Sequence, residues 1–503
     1  MAMDEVISLS MPELGYQFHD TLVDGFAYAD DLILLAENTA RLKEKLAAAS
    51  SALHSAGMRI NPKKTNAVII RGDHRTTAVC DDTLNLAGET IHPMHLTDTF
   101  TYLGIPFTCK GKAITKHREQ LHNMLAEIRQ APLKPHQRIE LTRQYMLPKL
   151  THSLVLGKVH RNTLKKLDNS IRQAIRLWLR LPHDTPNGYF YTAINSGGLG
   201  LSCLSTTIPL QRKSRLEKLL AAQCPVLRNV VKDPSFGPVL RDANIPVRVN
   251  HTIVSSKQEA ASAWHSSLVS SADGRGLREM ASSPLSSRWL LHPERVFPRI
   301  YIRAIHLRCN LMRTKVRSSR GRRGDQSVLC RGNCGQPESL AHILQSCWIT
   351  HDARCARHNR VAKDLARRLR TLGYTVLEEP RVPTATSFIK PDLIAVRGEV
   401  AVVMDVTIVG DNRSHVAYEE KIQKYGTEAY STAIKSALAI CGLPVTSLIH
   451  QPVVLSYRGI LFCASAKALL RLGVQSFVVS DLSLLTITGS LRVYDTFMRG
   501  TWH

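Results

Sequence analysis

Three short stretches of this 503-residue chain carry side chains whose types and spacing could do chemistry. The first is Cys330-x3-Cys334-x7-His342-x4-Cys347, three thiols and an imidazole within 18 residues. Tetrahedral Zn2+ prefers that donor set, and a closed set of this kind stabilises structure without leaving a position for water. Without a metal the same cysteines would pack as small hydrophobes and His342 would be incidental. Cys355, His351 and His358 are nearby substitutes as ligands.

The second stretch is Asp30-Asp31, set between the apolar runs 26–29 and 32–35. Adjacent carboxylates at a hairpin tip repel each other. Mg2+ bound by carboxylates and substrate phosphates removes that repulsion and organises phosphoryl transfer. The plain alternative is a solvated turn. The third runs from Lys390-Pro391-Asp392 to Met404-Asp405, with Gly398-Glu399 suited to a two-residue hairpin loop. If that loop forms, Arg397 pairs with Val400 and Asp392 falls opposite Asp405 on one face, with Cβ atoms roughly 5 Å apart. Two carboxylates so placed on an apolar hairpin are costly unless a cation lies between them, and Mg2+ is the natural one. Downstream, Lys421 and Tyr425 are four apart on a predicted helix and face the same way, with Lys424 about 60° round. A lysine there can stabilise charge developing on a phosphorane. It could equally form a plain salt bridge to Asp392 or Asp405 with no metal involved.

Elements that would position these groups follow from periodicity. Leu42, Leu46, Ala49 and Leu53 make a helix of residues 39–56, with Asn38 as its cap. Residues 67–71 and 100–107 read as strands. Residues 117–181 read as helical with breaks at Pro132, Pro135 and Pro148, and 209–227 as a further helix. Between 230 and 291 Pro, Ser and Ala become frequent and periodicity weakens, as in a linker. From Tyr374 strand and helix signals alternate: strands at 374–378, 392–409, 452–457 and 475–479, helices at 414–438 and 464–472. The fold expected is multidomain, α+β followed by a small α/β domain with a mixed sheet.

The 66 Lys+Arg against 41 Asp+Glu leave a formal charge of +25, which points to a polyanion as partner and, second, to an acidic membrane surface. Residues 301–370 hold sixteen of those basic residues against four acids. Arg313, Lys315, Arg317, Arg320, Arg322 and Arg323, just before the Cys/His cluster, are the candidate phosphate binders, on a surface that would otherwise be a solvated face. Eleven cysteines with no regular framework favour a reducing compartment. Acids among the first residues argue against a secretory signal, and no apolar stretch reads as long enough to span a bilayer, so no membrane partner is expected.

Tyr28-Ala29-Asp30-Asp31, the helix after it, Gly57 to Thr65 with Lys63 and Lys64, and Tyr102-Leu103-Gly104-Ile105-Pro106 resemble, in this order, the palm of a reverse transcriptase. That resemblance implies Asp30 as a Mg2+ ligand, Asp31 as a second acid, Lys63 or Lys64 near the incoming triphosphate, and a helical thumb after the palm. An earlier palm strand bearing another carboxylate is missing from the pattern; Asp4, Asp20 and Asp24 lack its context. Pro391-Asp392, Asp405 and Lys421-x3-Tyr425 resemble a PD-(D/E)xK restriction-like endonuclease with the lysine displaced, since Val406 and Thr407 follow Asp405.

The whole order looks like the C-terminal half of the open reading frame of R-two clade non-LTR retrotransposons. It implies a partial palm at 1–110, a thumb at 111–229, a linker region at 230–300, a basic region with a zinc knuckle at 301–372 and the endonuclease at 373–503. The implied activity is target-primed reverse transcription in the nucleus: Asp392, Asp405, Lys421 and Tyr425 nick the ribosomal RNA gene, and the nick primes copying of element RNA. This chain alone is expected to nick but not to polymerise without the N-terminal remainder of the polyprotein. Two rivals are a degenerate copy that only binds nucleic acid through the knuckle, and a polymerase remnant that needs its N-terminal part supplied separately.

Overall fold

A computed structural model describes residues 13–71, 78–79, 82–86, 88–320, 327–384 and 387–500. Arg322 and Arg323 lie outside the described residues, as does Asp4. The chain divides into two compact units. One is built from Met1–Ala126, Tyr145–Ser170 and Cys203–Lys257, the other from Glu127–Gln144, Ile171–Ser202 and Gln258–His503. The five consecutive segments read from the sequence therefore do not coincide with the compact units.

In the first unit the helix Thr39–Ser55 starts where Asn38 accepts a hydrogen bond from the Arg41 amide. It lays Leu46 on Ala67, Leu84, Leu86 and Ile91. Small antiparallel hairpins surround it, among them Gly25–Tyr28 with Asp31–Leu34, and Phe100–Tyr102 with Ile105–Thr108. The predicted strand 67–71 shrinks to Ile70–Arg71. The helix predicted at 209–227 begins at Leu204, because the buried carboxylate of Asp168 accepts the amides of Leu204 and Ser205. It ends at Ala221, and a separate helix follows at Pro225–Lys232.

The span 230–300, compositionally a linker, is folded. In the first unit it supplies Gly237–Asn244 and the hairpin Val247–Val249 with Thr252–Val254. In the second it supplies the helix Lys257–Ser270 and a run of short helical turns that bury Leu268, Leu277, Met280 and Trp289. Small side chains there serve close packing: a Cβ on Gly274 would sit 2.1 Å from the Leu268 carbonyl.

The second unit is centred on a sheet in the order Thr375–Glu378, Leu393–Arg397, Val400–Met404, Ser447–His450, the last strand parallel to its neighbour. Val406–Val409 continues beyond Asp405 and pairs in parallel with Val453–Ser456. Alternation sends Leu393, Ala395, Val402 and Met404 to one face, against Val361, Leu365 and Leu369 of the long helix His351–Thr371. Ile394, Val396, Ala401 and Val403 go to the other, against Tyr425, Ile434 and Leu438. Helices therefore cover both faces.

Two predicted elements change here. The helix expected over 414–438 is two, Ser414–Tyr425 and Glu428–Ile440, because the Thr427 side chain caps the second after Gly426. The strand expected at 475–479 is the start of a 25-residue helix, Ser476–Gly500. By length and composition that helix could cross a membrane, a possibility the sequence reading missed, yet 61% of its apolar window is buried inside the chain. Val478, Val479 and Leu482 pack into the core beside the sheet, which is where β-branched residues read as strand belong when their burial is tertiary.

Candidate functional site

The hairpin register is the one a Gly-first loop dictates. Gly398 takes φ +59°, Arg397 pairs with Val400, and Leu393 pairs with Met404. One step further, Asp392 and Asp405 share a face, close enough that each bears on the other's ionisation. Burial and the adjoining Asp392 carboxylate push Asp405 up to about 6. Burial alone would raise Asp392 as well, but hydrogen bonds from His358 and the Val406 amide bring it below the usual carboxylate range. Oδ2 of Asp392 accepts from Val406 N at 2.7 Å and from His358 Nε2 at 3.0 Å.

Lys421 places its ammonium on Asp405. Lys424 instead lies over the Tyr425 ring, 4.9 Å from its centre, and is exposed. Tyr425 itself is buried among Ile394, Val403 and Ile434, and its hydroxyl is pushed up by burial and by the two carboxylates. Helix and hairpin thus bring Asp392, Asp405, Lys421 and Tyr425 together. Two adjoining carboxylates beside one ammonium leave negative charge and ligand oxygens that a divalent cation would fit.

Cys330, Cys334, His342 and Cys347 offer ligand atoms that all lie within 4.8 Å of one another. The Cys330 and Cys347 sulfurs are 3.9 Å apart, against the roughly 3.8 Å expected for two thiolates about 2.3 Å from one tetrahedral Zn2+. His342 Nε2 is 3.1 Å from Cys334 Sγ while its Nδ1 lies 3.2 Å from Ser346 Oγ, which orients the ring. The substitutes sort themselves out: Cys355 is exposed, His351 pairs with Asp352, and His358 faces Asp392.

This Cys/His cluster is fastened to the acid pair's surroundings. Gln345 Nε2 donates to Val409 O at 3.1 Å, and Arg357 donates to Leu344 O at 3.1 Å and to Ser490 Oγ at 2.9 Å. A cleft of about 540 Å3 runs between His342, Gln345 and Ser346 on one wall and Thr407, Arg413 and Lys421 on the other. Thr407 Oγ1, at the position two after Asp405, is buried there without a hydrogen-bond partner among the described residues.

The candidate phosphate binders divide. Arg313 is exposed and Lys315 half-buried, and neither makes an ion pair among the described residues. Arg317 is 9% exposed and committed elsewhere: its guanidinium contacts both oxygens of Asp273 at 2.7 Å and those of Asp184 at 2.9 and 3.0 Å. Arg320 shares Asp273 at 2.5 Å. Both were expected to face a nucleic acid; acids distant in sequence pair with them in this structure. Arg308 is fully buried, over the Trp289 ring and donating to Ser286 O.

In the other unit Ala29 takes φ +54° as the first residue of a two-residue loop, so Tyr28 pairs with Asp31 and the tip presents Asp30 and Asp31 to solvent. Lys63 and Lys64 stand exposed on the turn Pro62–Lys64, capped by Asn61. Among the described residues neither lysine is ion-paired with the tip. Asp24 is claimed by Lys45, a fully buried lysine whose ammonium also reaches the carbonyls of Asp24 and Leu35 at 2.8 and 3.0 Å. Asp20 is bonded to Asn229. Neither supplies a third acid to Asp30 and Asp31.

Comparison with known proteins bears on both units. Residues 7–107 match the reverse transcriptase (RNA-dependent DNA polymerase) family model. A Pol polyprotein from a type-1 retrotransposable element R2 of Popillia japonica is 31% identical over 480 residues, covering 94% of this chain and 97% of that protein. The chain belongs to the R2 retrotransposon Pol polyproteins. The corresponding proteins of Nasonia vitripennis (type-1 element R2) and Drosophila melanogaster (type-2 element R2DM) are 29% and 31% identical over 99% of the chain. The chain spans 48% and 47% of their lengths, about half. The palm expected around Asp30 thus lies in a reverse-transcriptase domain.

Lys45 escaped the sequence reading, and His358 entered it only as a substitute ligand for the Cys/His cluster. His358 lies 34 residues before Asp392, within the strongly basic span 301–370. Lys45 sits beside Leu46 on the apolar stripe of its helix, which is the only local sign that it points inward.

Proposed function

We propose that this chain is the portion of an R2-type Pol polyprotein that nicks one DNA strand in a metal-dependent reaction, so that its reverse-transcriptase domain can copy element RNA from the exposed end. The DNA is the ribosomal RNA gene, the second partner is the element RNA, and the site of action is the nucleus. The observation that carries this reading is the juxtaposition of Asp392, Asp405 and Lys421 at the open end of one hairpin.

Asp392 and Asp405 would hold Mg2+, which when bound supplies positive charge to the scissile phosphate. Lys421 offsets carboxylate charge and presents its ammonium to the same cleft. The unpartnered Thr407 hydroxyl is a donor available to a phosphate oxygen, and Tyr425 closes the apolar side of the site. Cys330, Cys334, His342 and Cys347 would hold Zn2+ as a structural ion, placing one wall of the cleft. Asp30 is assigned to polymerase Mg2+, Asp31 to the part of a second acid, and Lys63 or Lys64 to the triphosphate, by family alone. The exposed tip holds too few placed acids for a step to be derived there.

The test is nicking of supercoiled DNA carrying a ribosomal RNA gene segment, in Mg2+ and in its absence. Wild-type protein should nick only with the metal, and Asp392→Ala and Asp405→Ala should bind the DNA without nicking it. Nicking that survives Asp392→Ala overturns the assignment, and binding with no nicking by wild type favours the nucleic-acid-binding reading.

A further inference from the structure

Asp392 does not stand in its place unaided. Its Oδ2 accepts two hydrogen bonds, from the Val406 amide at 2.7 Å and from His358 Nε2 at 3.0 Å. The same Nε2 is 2.8 Å from Val406 O. Both neighbours of Nε2 are acceptors, so that nitrogen carries the proton and donates to them. The ring's other nitrogen, Nδ1, lies 3.1 Å from Asn359 Oδ1. With Oδ2 taken twice and no N–H among the described residues donating to Oδ1, that oxygen is the one left for a cation.

We infer that His358 is a positioning residue for the nicking site: it locks the rotamer of Asp392 so that Oδ1 is the oxygen offered to the divalent cation. The inference rests on the nicking function proposed above. His358 is delivered from the opposite face of the sheet to Lys421, by a helix that starts four residues after the last Cys of the knuckle. Arg354 and Arg357 of that same helix hold the knuckle carbonyls of Cys347 and Leu344. The knuckle therefore sets the height and rotation of the helix that carries His358, and the imidazole transmits that placement to Asp392. Partners of this kind, one bond removed from a metal, typically govern metal affinity or activity by ~10–100-fold.

The experiment compares the 503-residue chain as wild type, His358→Ala, His358→Gln and Asp392→Ala in two assays. One is Mg2+ dependence of nicking; the other is Mn2+ binding without DNA, read by loss of the free Mn2+ paramagnetic signal. Melting temperature in metal-free buffer shows whether each variant is folded. His358→Ala should weaken Mn2+ binding and raise the Mg2+ needed for half-maximal nicking, each by ~10-fold or more. His358→Gln, whose amide can donate to Oδ2, should recover part of both. Wild-type values in a folded His358→Ala overturn the inference, and so does a loss that only tracks melting temperature without recovery in the Gln variant. If wild type fails to nick yet binds Mn2+ through Asp392, the nuclease reading falls and the Mn2+ series alone decides the role of His358. If wild type neither nicks nor binds Mn2+, both fall.

Discussion

Replacing Arg317 by Ala separates a guanidinium that supports the fold from one that holds nucleic acid. Arg317 and Asp273 are 9% and 5% exposed, and the pair is completed by Asp184 and the Asn310 carbonyl. Removing one member of a buried ion pair costs about 3–5 kcal/mol, because the partner charge is left in a poorly solvated place. Arg320 remains on Asp273, so the low end applies, about 3 kcal/mol. For a unit of this size that is roughly 6 °C of melting temperature. Salt dependence should not move, since a residue that touches no phosphate releases no counterion.

Arg313→Ala and Lys315→Ala should behave oppositely. Surface changes without partners stay within about 0.5 kcal/mol. Each lost phosphate contact should flatten the plot of log affinity against log salt by ~0.9, about 3.5-fold in affinity between 50 and 200 mM salt. Thermal unfolding, together with fluorescence anisotropy on a duplex across that salt range, reads both quantities for all three variants. A drop of ~0.9 in slope for Arg317→Ala, with unchanged melting temperature, would refute the reasoning and restore Arg317 to the nucleic-acid face.

Lys45→Met removes the ammonium that ties the base of the Asp30-Asp31 hairpin to its helix, leaving Asp24 unpaired but a third exposed. The loss expected is about 2–3 kcal/mol, with faster proteolysis at residues 24–36. A coupling below about 0.5 kcal/mol in the cycle with Asp24→Asn would show the two do not act as a pair. Acid should also destabilise the protein in a defined window. Burial holds His117, His306 and His450 below the ordinary histidine value, so between pH 6.5 and their folded values the unfolded chain binds more protons than the native one. Their contribution to stability is therefore whole above pH 6.5 and shrinks as pH drops below it; a loss in urea midpoint from pH 7 to pH 5 that is the same in wild type and in the triple variant His117→Gln, His306→Gln, His450→Gln would contradict this.

What the sequence revealed about the candidate site is what short-range geometry determines. Gly398-Glu399 allows only one pairing of the flanking residues, and from it the meeting of Asp392 with Asp405 follows by counting. The four ligand residues of the knuckle sit within one loop and one helical turn, so their convergence is also local. The cap at Asn38 is legible for the same reason. The folded nature of 230–300 was hidden because its short turns have no period to read, and their burial is decided by Leu277, Met280 and Trp289 meeting distant partners.

Charge was the least legible property, and the reason is physical. A guanidinium carries five donors, and whether they meet phosphate or protein depends on carbonyls and carboxylates brought up by other parts of the chain. Arg308, Arg317 and Arg357 lie in a strongly basic run, yet their hydrogens go to Ser286 O, to Asp273 and Asp184, and to Leu344 O and Ser490 Oγ. Their neighbours on the long helix separate by helical spacing alone. Val361, Leu365 and Leu369 face the core, while Arg360, Lys363 and Arg367 face solvent along the opposite stripe. Asp364 accepts from Arg367, which leaves Arg360 and Lys363 without an acid among the described residues. That free charge begins two residues from His358, so the helix that orients the acid pair also carries unspent positive charge.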